Sequence, residues 1–399
     1  MKLIFTPMKK CLLFLLLFVN TFAFAQVQLT DKAEIRIVTC GPYQGELYSA
    51  FGHSAIRVYD PSQAIDLIYN YGVFNFNQPN FYLNFAKGHL KYRLAVSRYQ
   101  PFVDSYIDEN RFVHEQILNL TPAQNQKVFD FLQWNAQEEN MHYYYDYFYD
   151  NCATRVRDVM KKALGDSVRF DDSHITTNYT IRDLCDIYLQ EQPWGDLGID
   201  LCLGLPMDKN ATPWMYMFLP DYVEQGFDHA YIKGQRGEKP LVKETVNTFE
   251  ALPEKAETNW NTPFLYFTAL LVLGLLITYQ GYNAKRGLYW FDAVIFSIIG
   301  LIGWFLFVLW LATDHRAAAQ NMNLLWAIPL HFPVALILLK KKKPNWLKPY
   351  FTLTALLAFI TLIAWPWWPQ DLNNSLIPFV LLIMVRAVYI RWSLKRFYE

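Results

Sequence analysis

Residues 149–155 read Tyr149-Asp150-Asn151-Cys152-Ala153-Thr154-Arg155, and well upstream residues 51–58 read Phe51-Gly52-His53-Ser54-Ala55-Ile56-Arg57-Val58. The first stretch has the form of a helix start. Asp150 or Asn151 can cap it, and Val156, Val159, Met160 and Ala163 recur behind it at helical spacing with charges opposite. Cys152 then falls in the first turn, where amide dipoles and a neighbouring imidazolium both favour the thiolate, and where free backbone amides can receive an oxyanion. The second stretch alternates like a strand over 54–59, with His53 at its head. Spacing alone leaves two readings of each residue open. Cys152 is a nucleophile or an inert buried thiol, and His53 a base or a strand-end histidine with a structural hydrogen bond. Gly52 permits close approach of a substrate or another backbone. Asn70, in Tyr69-Asn70-Tyr71, either orients the imidazole from the adjacent strand or satisfies a local backbone group.

Outward from this pair, residues 34–38, 66–71 and 91–97 add strand patterns. Thr121 reads as an N-cap, with Pro122 as the first helical residue, Gln124 completing a capping box, and Val128, Phe129, Leu132 and Trp134 near one face. The expectation is an α+β soluble domain.

Composition divides the chain. Of 399 residues, 53% are hydrophobic and 18% charged, too apolar on average for a wholly soluble protein, and the excess is concentrated after residue 262. Five apolar runs of membrane-spanning character are expected there, at 263–279, 291–313, 324–339, 350–365 and 376–390, the third and fourth of them short. With the soluble domain outside, the inner loops hold Lys285, Arg286, Lys340, Lys341, Lys342, Lys343, Lys348, Arg391, Lys395 and Arg396, and the outer loops only Arg316. That asymmetry obeys the positive-inside rule, and Trp365, Trp367 and Trp368 suit an outer interfacial belt. Lys9 and Lys10 before an apolar stretch, with Ala23-Phe24-Ala25 before Gln26, give an export signal. The expected organisation is a signal peptide at 1–25, a periplasmic catalytic domain at 26–240, a linker at 241–262 and an all-α membrane domain at 263–399, in the cytoplasmic (inner) membrane.

Lys and Arg total 36 against 36 Asp and Glu, so nucleic acid is a poor partner. Cys40, Cys152, Cys185 and Cys202 follow the signal. Export permits a Cys185–Cys202 disulfide without making the domain a disulfide scaffold. His89, His114 and His142 lack metal-site spacing, so no metal and no cofactor is expected.

The order of His at a strand head and Asn-Cys at a helix start resembles the permuted papain-like enzymes, including the lecithin:retinol acyltransferase group. More closely, the chain resembles the family carrying the Lnb N-terminal periplasmic domain, the lipoprotein N-acyltransferases of Bacteroides and its relatives. The resemblance rests on residues 46–58, Tyr69-Asn70-Tyr71-Gly72, Asn80-Phe81-Tyr82, residues 150–155, 194–200 and 218–222, and, in the membrane half, Thr313-Asp314-His315 and residues 321–326. It covers most of the mature chain. It implies a permuted papain-like domain in which Cys152 is the nucleophile and His53 the general base, a phospholipid acyl donor, and a diacylated lipoprotein as acceptor. Tyr48, Asn151, Arg155, Asp200, Asp314 and His315 are candidates for binding substrate, with Asp314, His315, Asn321 and Asn323 rimming a headgroup groove. Asp196, Gly198 and Asp200 can shape a pocket, although such a stretch commonly forms a turn. The rival readings are a Cys/His peptidase or amidase acting on cell-wall peptides, and a non-catalytic membrane scaffold.

Overall fold

The computed structural model describes residues 27–75, 77–234, 237–253 and 260–397; the expected signal peptide lies outside them. The soluble part begins with β1 (Glu34–Cys40), β2 (His53–Asp60), β3 (Ile65–Val73), α1 (Phe81–Lys87), β4 (Lys91–Arg98), α2 (Tyr99–Asp108), β5 (Val113–Leu118), α3 (Pro122–Asn135) and β6 (His142–Tyr144). It continues with α4 (Cys152–Leu164), β7 (Val168–Phe170), α5 (Ile181–Leu189), α6 (Pro193–Cys202), α7 (Pro213–Tyr216), α8 (Pro220–Asp228), β8 (Ala230–Gly234), β9 (Gly237–Pro240) and β10 (Val242–Phe249). Seven strands form one antiparallel sheet in the order β10-β5-β1-β2-β3-β4-β6, and β7, β8 and β9 form a smaller one.

Strand periodicity places Ile35, Ile37, Ile56 and Val58 on one face of the large sheet. There they pack against Val128, Phe129 and Leu132 of α3 and Val156, Val159 and Met160 of α4. Val38, Cys40 and Ala55 project from the other face onto Tyr99, Phe102 and Val103 of α2. The α3 capping box forms as expected, but Trp134, placed with the buried face by its spacing, points to solvent. The expected linker at 241–262 starts too early: β10 is an edge strand of the sheet, paired with β5. The stretch 194–200, for which a pocket-shaping role and a turn were both open, lies within helix α6, because Leu197 and Asp200 are drawn into buried contacts that outweigh the low helix propensity of Gly195 and Gly198. Cys40, Cys152, Cys185 and Cys202 are free thiols, so the possible Cys185–Cys202 bond does not form; Cys185 turns into the core beside Ile181 and Leu184.

The second half comprises α9 (Pro263–Asn283), α10 (Tyr289–Leu311), α11 (His331–Leu338), α12 (Leu347–Ala364) and α13 (Ile377–Phe397). Among the described residues, four helical stretches are long and apolar enough to cross a membrane: Pro263–Asn283, Tyr289–Leu311, Leu347–Trp367 and Asn374–Arg396. The run at 324–339 is not a continuous helix. A 3-10 turn at Met322–Leu325 precedes α11, which has only eight residues, because Pro329 and Pro333 interrupt the hydrogen-bond ladder. The segment still runs from one end of the bundle to the other. Asp314 meets the soluble domain at one end, and Lys343 lies 4.8 Å from the ring centre of Tyr289 at the other. Its broken backbone packs against Gly300 and Gly303 of α10, where an added Cβ would collide with Phe332 N and Ala327 O.

A polar seam joins the two halves. Arg182, almost fully buried, donates to Asp200 Oδ1 at 2.7 Å, Asp208 Oδ1 at 2.8 Å and Leu203 O at 3.0 Å. On the same groups converge Gln370 Nε2 to Leu203 O at 3.0 Å, Asn373 Nδ2 to Asp200 Oδ2 at 3.0 Å, and the Asp371 amide to Asp208 Oδ1 at 2.8 Å. Asn321 Nδ2 adds a bond to Leu201 O at 2.7 Å. Arg182→Ala leaves two buried carboxylates without their cation, so the folded protein is expected to lose about 3–5 kcal/mol. Thermal unfolding in detergent checks this, and an unchanged midpoint would dismiss the seam as a stabilising element.

Candidate active site

The geometry begins with Asn151. It is the N-cap of α4 in extended backbone: its Oδ1 accepts from the Thr154 amide at 2.9 Å, and its own amide donates to Thr154 Oγ1 at 2.8 Å. Its Nδ2 donates to Tyr147 O at 2.9 Å and Phe218 O at 2.8 Å. Every polar group of this side chain is therefore engaged in fixing the helix start, and the substrate-binding role expected for Asn151 is replaced by a positioning one. Cys152 is the first helical residue, only 9% exposed. The backbone amides of Ala153 and Ser54 favour its thiolate form.

His53 opens β2 opposite Cys40. Gly52 before it has φ +79°, and an added Cβ would sit 2.8 Å from Cys40 O, so the turn that delivers the histidine requires glycine. Asn70 projects from the same face of the sheet as His53, since Arg57 pairs with Ile68 and side chains alternate along each strand. Nε2 of His53 donates to Asn70 Oδ1 at 2.7 Å, which leaves Nδ1 to act on the neighbouring Cys152 thiol. Tyr106 stacks on the imidazole at 6.0 Å and Phe102 flanks it at 6.3 Å. Burial opposes charge on both partners, yet the contact reverses this. The imidazolium beside it, together with the Ser54 and Ala153 amides, lowers the Cys152 pKa below its usual 9.0. The facing thiolate and the Asn70 carbonyl raise that of His53 above 6.5. Each partner thus favours the charged form of the other, thiolate on Cys152 and imidazolium on His53, with the Asn70 amide orienting the ring.

Two family models match this chain: the Lnb N-terminal periplasmic domain over residues 24–186, which include His53, Asn70 and Cys152, and the Lnb transmembrane domain over residues 255–396. The chain belongs to the Lnb family. No curated protein and no solved structure matches it. As an Lnb-family member with four membrane-length helices, it is a multi-pass membrane protein with a periplasmic domain.

The other residues singled out in the sequence make their contacts apart from Cys152 and His53. Arg155 forms a two-pronged ion pair with Asp150 and lies 4.0 Å over the Tyr143 ring, so its guanidinium is engaged. Tyr48 is exposed on a 3-10 turn at Leu47–Ser49. Asp200 is held by Arg182 and Asn373. Asp314 pairs with His89 at 2.6 Å and His315 Nε2 donates to Phe85 O at 3.0 Å. Asn323 accepts from Trp326 Nε1 at 3.0 Å. Of the groups expected to rim a headgroup groove, Asp314, His315 and Asn321 join the two halves instead, and Asn323 is bonded within the membrane half. Asp186, Asp196 and Asp200 have carboxylate oxygens within 4.8 Å of one another, a spacing a cation can use. Burial, with the neighbouring carboxylates, raises Asp186 to about 8 and Asp196 to about 6, so near neutral pH a proton between them relieves the crowding. Sequence reading passed over the aromatic wall around the thiol, Tyr106, Tyr143 and Tyr145, and gave no role to Gly72 of the motif at 69–72, where an added Cβ would lie 3.5 Å from both Cys152 Cβ and the Tyr145 ring. The signal was present in the run Tyr143-Tyr144-Tyr145-Asp146-Tyr147-Phe148-Tyr149.

The two opposed shifts set a pH window. The thiolate is lost as pH falls through the lowered Cys152 pKa, and the imidazolium is lost as pH rises through the raised His53 pKa. Alkylation of Cys152 by iodoacetamide is therefore expected to show a midpoint below 9.0. His53→Ala should move that midpoint upward, because burial then acts without the opposing cation. A wild-type midpoint at or above that of a free thiol would rule out the ion pair.

Proposed function

We propose that this protein is a lipoprotein N-acyltransferase of the inner membrane, with a permuted papain-like periplasmic domain. It moves an acyl chain from a membrane phospholipid, through a thioester on Cys152, to the N-terminal amine of a diacylated lipoprotein. The observation that carries this reading is the Cys152–His53–Asn70 line at a helix start in a buried, aromatic-walled site, on a chain that also holds the Lnb transmembrane domain. In the first step the thiolate attacks the ester carbonyl carbon and a C–S bond forms. The oxyanion is met by backbone amides at the start of α4. Collapse breaks the C–O bond, and the imidazolium of His53 gives its proton to the departing alkoxide, releasing a lysophospholipid. In the second step the neutral imidazole takes a proton from the lipoprotein amine as nitrogen attacks the thioester. The C–N bond forms, the C–S bond breaks, and the ion pair is restored. Aromatic burial supports transfer over hydrolysis, because water is a competing acceptor for the thioester.

Reconstituted protein incubated with acyl-labelled phospholipid tests the reading. Hydroxylamine-sensitive label on Cys152, chased onto a diacylated lipopeptide amine, is the expected outcome. Cleavage of cell-wall peptides without label transfer would establish a peptidase instead, and neither activity would leave a scaffold.

A further inference from the structure

Helix α1 combines three apolar, solvent-facing side chains with a fixed attachment to a membrane-length helix. Tyr82 is 79% exposed, Leu83 53% and Phe85 42%, whereas the ring of Phe81, one turn before Phe85, is buried. The attachment lies at the C-terminal end of α1. Lys87 O accepts from the Asp314 amide at 2.9 Å, Phe85 O accepts from His315 Nε2 at 3.0 Å, and His89 meets the Asp314 carboxylate. Between them Gly88 has φ +83°, and an added Cβ would approach the Asp314 carbonyl carbon to 3.1 Å and His315 N to 3.2 Å. The two backbones are therefore in direct apposition.

That attachment sets the depth of α1. From Leu311, the last residue of α10, to Asp314 the chain can extend about 10 Å at most. The polar layer of a bilayer is about 5–8 Å thick on each side. An element bound at Asp314 thus lies at the level of the lipid headgroups, where exposed apolar side chains enter the acyl boundary and a Lys such as Lys87 reaches back to the phosphates.

From the buried side of α1 an aromatic row leads inward. Phe81 stacks on Phe74 at 6.1 Å, Phe74 on Tyr92 at 4.9 Å, and Tyr92 meets Tyr145 at 4.3 Å. The Tyr145 ring borders the side-chain-free position of Gly72, on whose other side lies Cys152.

We propose that α1 is an interfacial helix which seats its Tyr82, Leu83 and Phe85 face in the outer leaflet, and that the row Phe81, Phe74, Tyr92 and Tyr145 is the wall along which a long acyl chain of a phospholipid reaches Cys152. The second clause rests on the acyl-transfer reading; the first stands without it. Two measurements on the full chain in phospholipid nanodiscs test it. A nitroxide on Leu83→Cys, in a Cys152→Ala background, should collide more with oxygen than with a charged nickel chelate. Water-like collisions would overturn the interfacial helix, and dipolar coupling between two such labels would put a second copy on this face and overturn it equally. In the otherwise wild-type chain, Leu83→Asp should slow thioester formation from a long-chain phospholipid at least tenfold and leave acylation by p-nitrophenyl butyrate unchanged. Equal rates on phospholipid, or equal losses on both donors, would refute the guiding role. Wild-type protein that takes no acyl group from phospholipid would sink the transferase reading while leaving the nitroxide result standing.

Discussion

Cys152→Ser is expected to lower acyl transfer on the order of ten-thousand-fold, with the fold unchanged. The serine hydroxyl fits the space and keeps a hydrogen bond to His53, but it is not ionised by the imidazolium and amides that lower the pKa of the thiol. What is lost is the standing nucleophile, and with it the thioester that divides the transfer into two steps. Single-turnover acylation from labelled phospholipid measures the loss, and circular dichroism checks the fold. A serine variant working at the wild-type rate would show that Cys152 is no covalent intermediate.

His53→Ala is expected to cost about 10²–10⁴-fold, because it removes both the proton donor for the leaving alkoxide and the base for the incoming amine. Asn70 should be graded differently. Its Oδ1 only accepts from Nε2, so Asn70→Ala frees the ring to rotate and should cost on the order of tenfold to a hundredfold. Asn70→Asp keeps an acceptor at the same place and should recover most of the rate. This ordering separates orientation from bulk: if Asp and Ala at position 70 were equally slow, hydrogen bonding to Nε2 would not be what the site requires.

The parts of this protein legible in its sequence were those written in local chemistry. Thr121 with Gln124 announces a capped helix, the Asn-Cys pair at 151–152 announces another, and the alternation after His53 announces a strand; all three form. Asn70 was legible because strand pairing brings the same face of neighbouring strands together. Hydropathy located the membrane half but not the break at Pro329 and Pro333, since an average over apolar residues does not register where the backbone ladder is interrupted. The acidic and asparagine residues at 196, 200, 314, 321 and 323 looked like parts of a binding site because exposed polar groups near a membrane invite that reading. Asp196 and Asp200 meet Asn373, Asp314 meets His89 and Asn321 meets Leu201, all distant along the chain, so only the folded arrangement reveals that these groups join one half to the other, whereas Asn323 is bonded locally by Trp326.

Strand β10 also acts as a guard. It covers the outer ladder of β5 over Val242–Phe249, and its Thr248 Oγ1 donates to the buried Glu115 at 2.7 Å. A soluble fragment cut at Pro240 would keep Cys152, His53 and Asn70 yet uncover a row of unpaired amides and carbonyls along a central strand, the usual template for strand-to-strand aggregation. The stretch leading to the membrane thus replaces the regular β5 edge with one broken by register shifts at Val242/Glu244 and Asn247/Phe249, so the periplasmic half ends, as a self-sufficient unit, beyond Phe249.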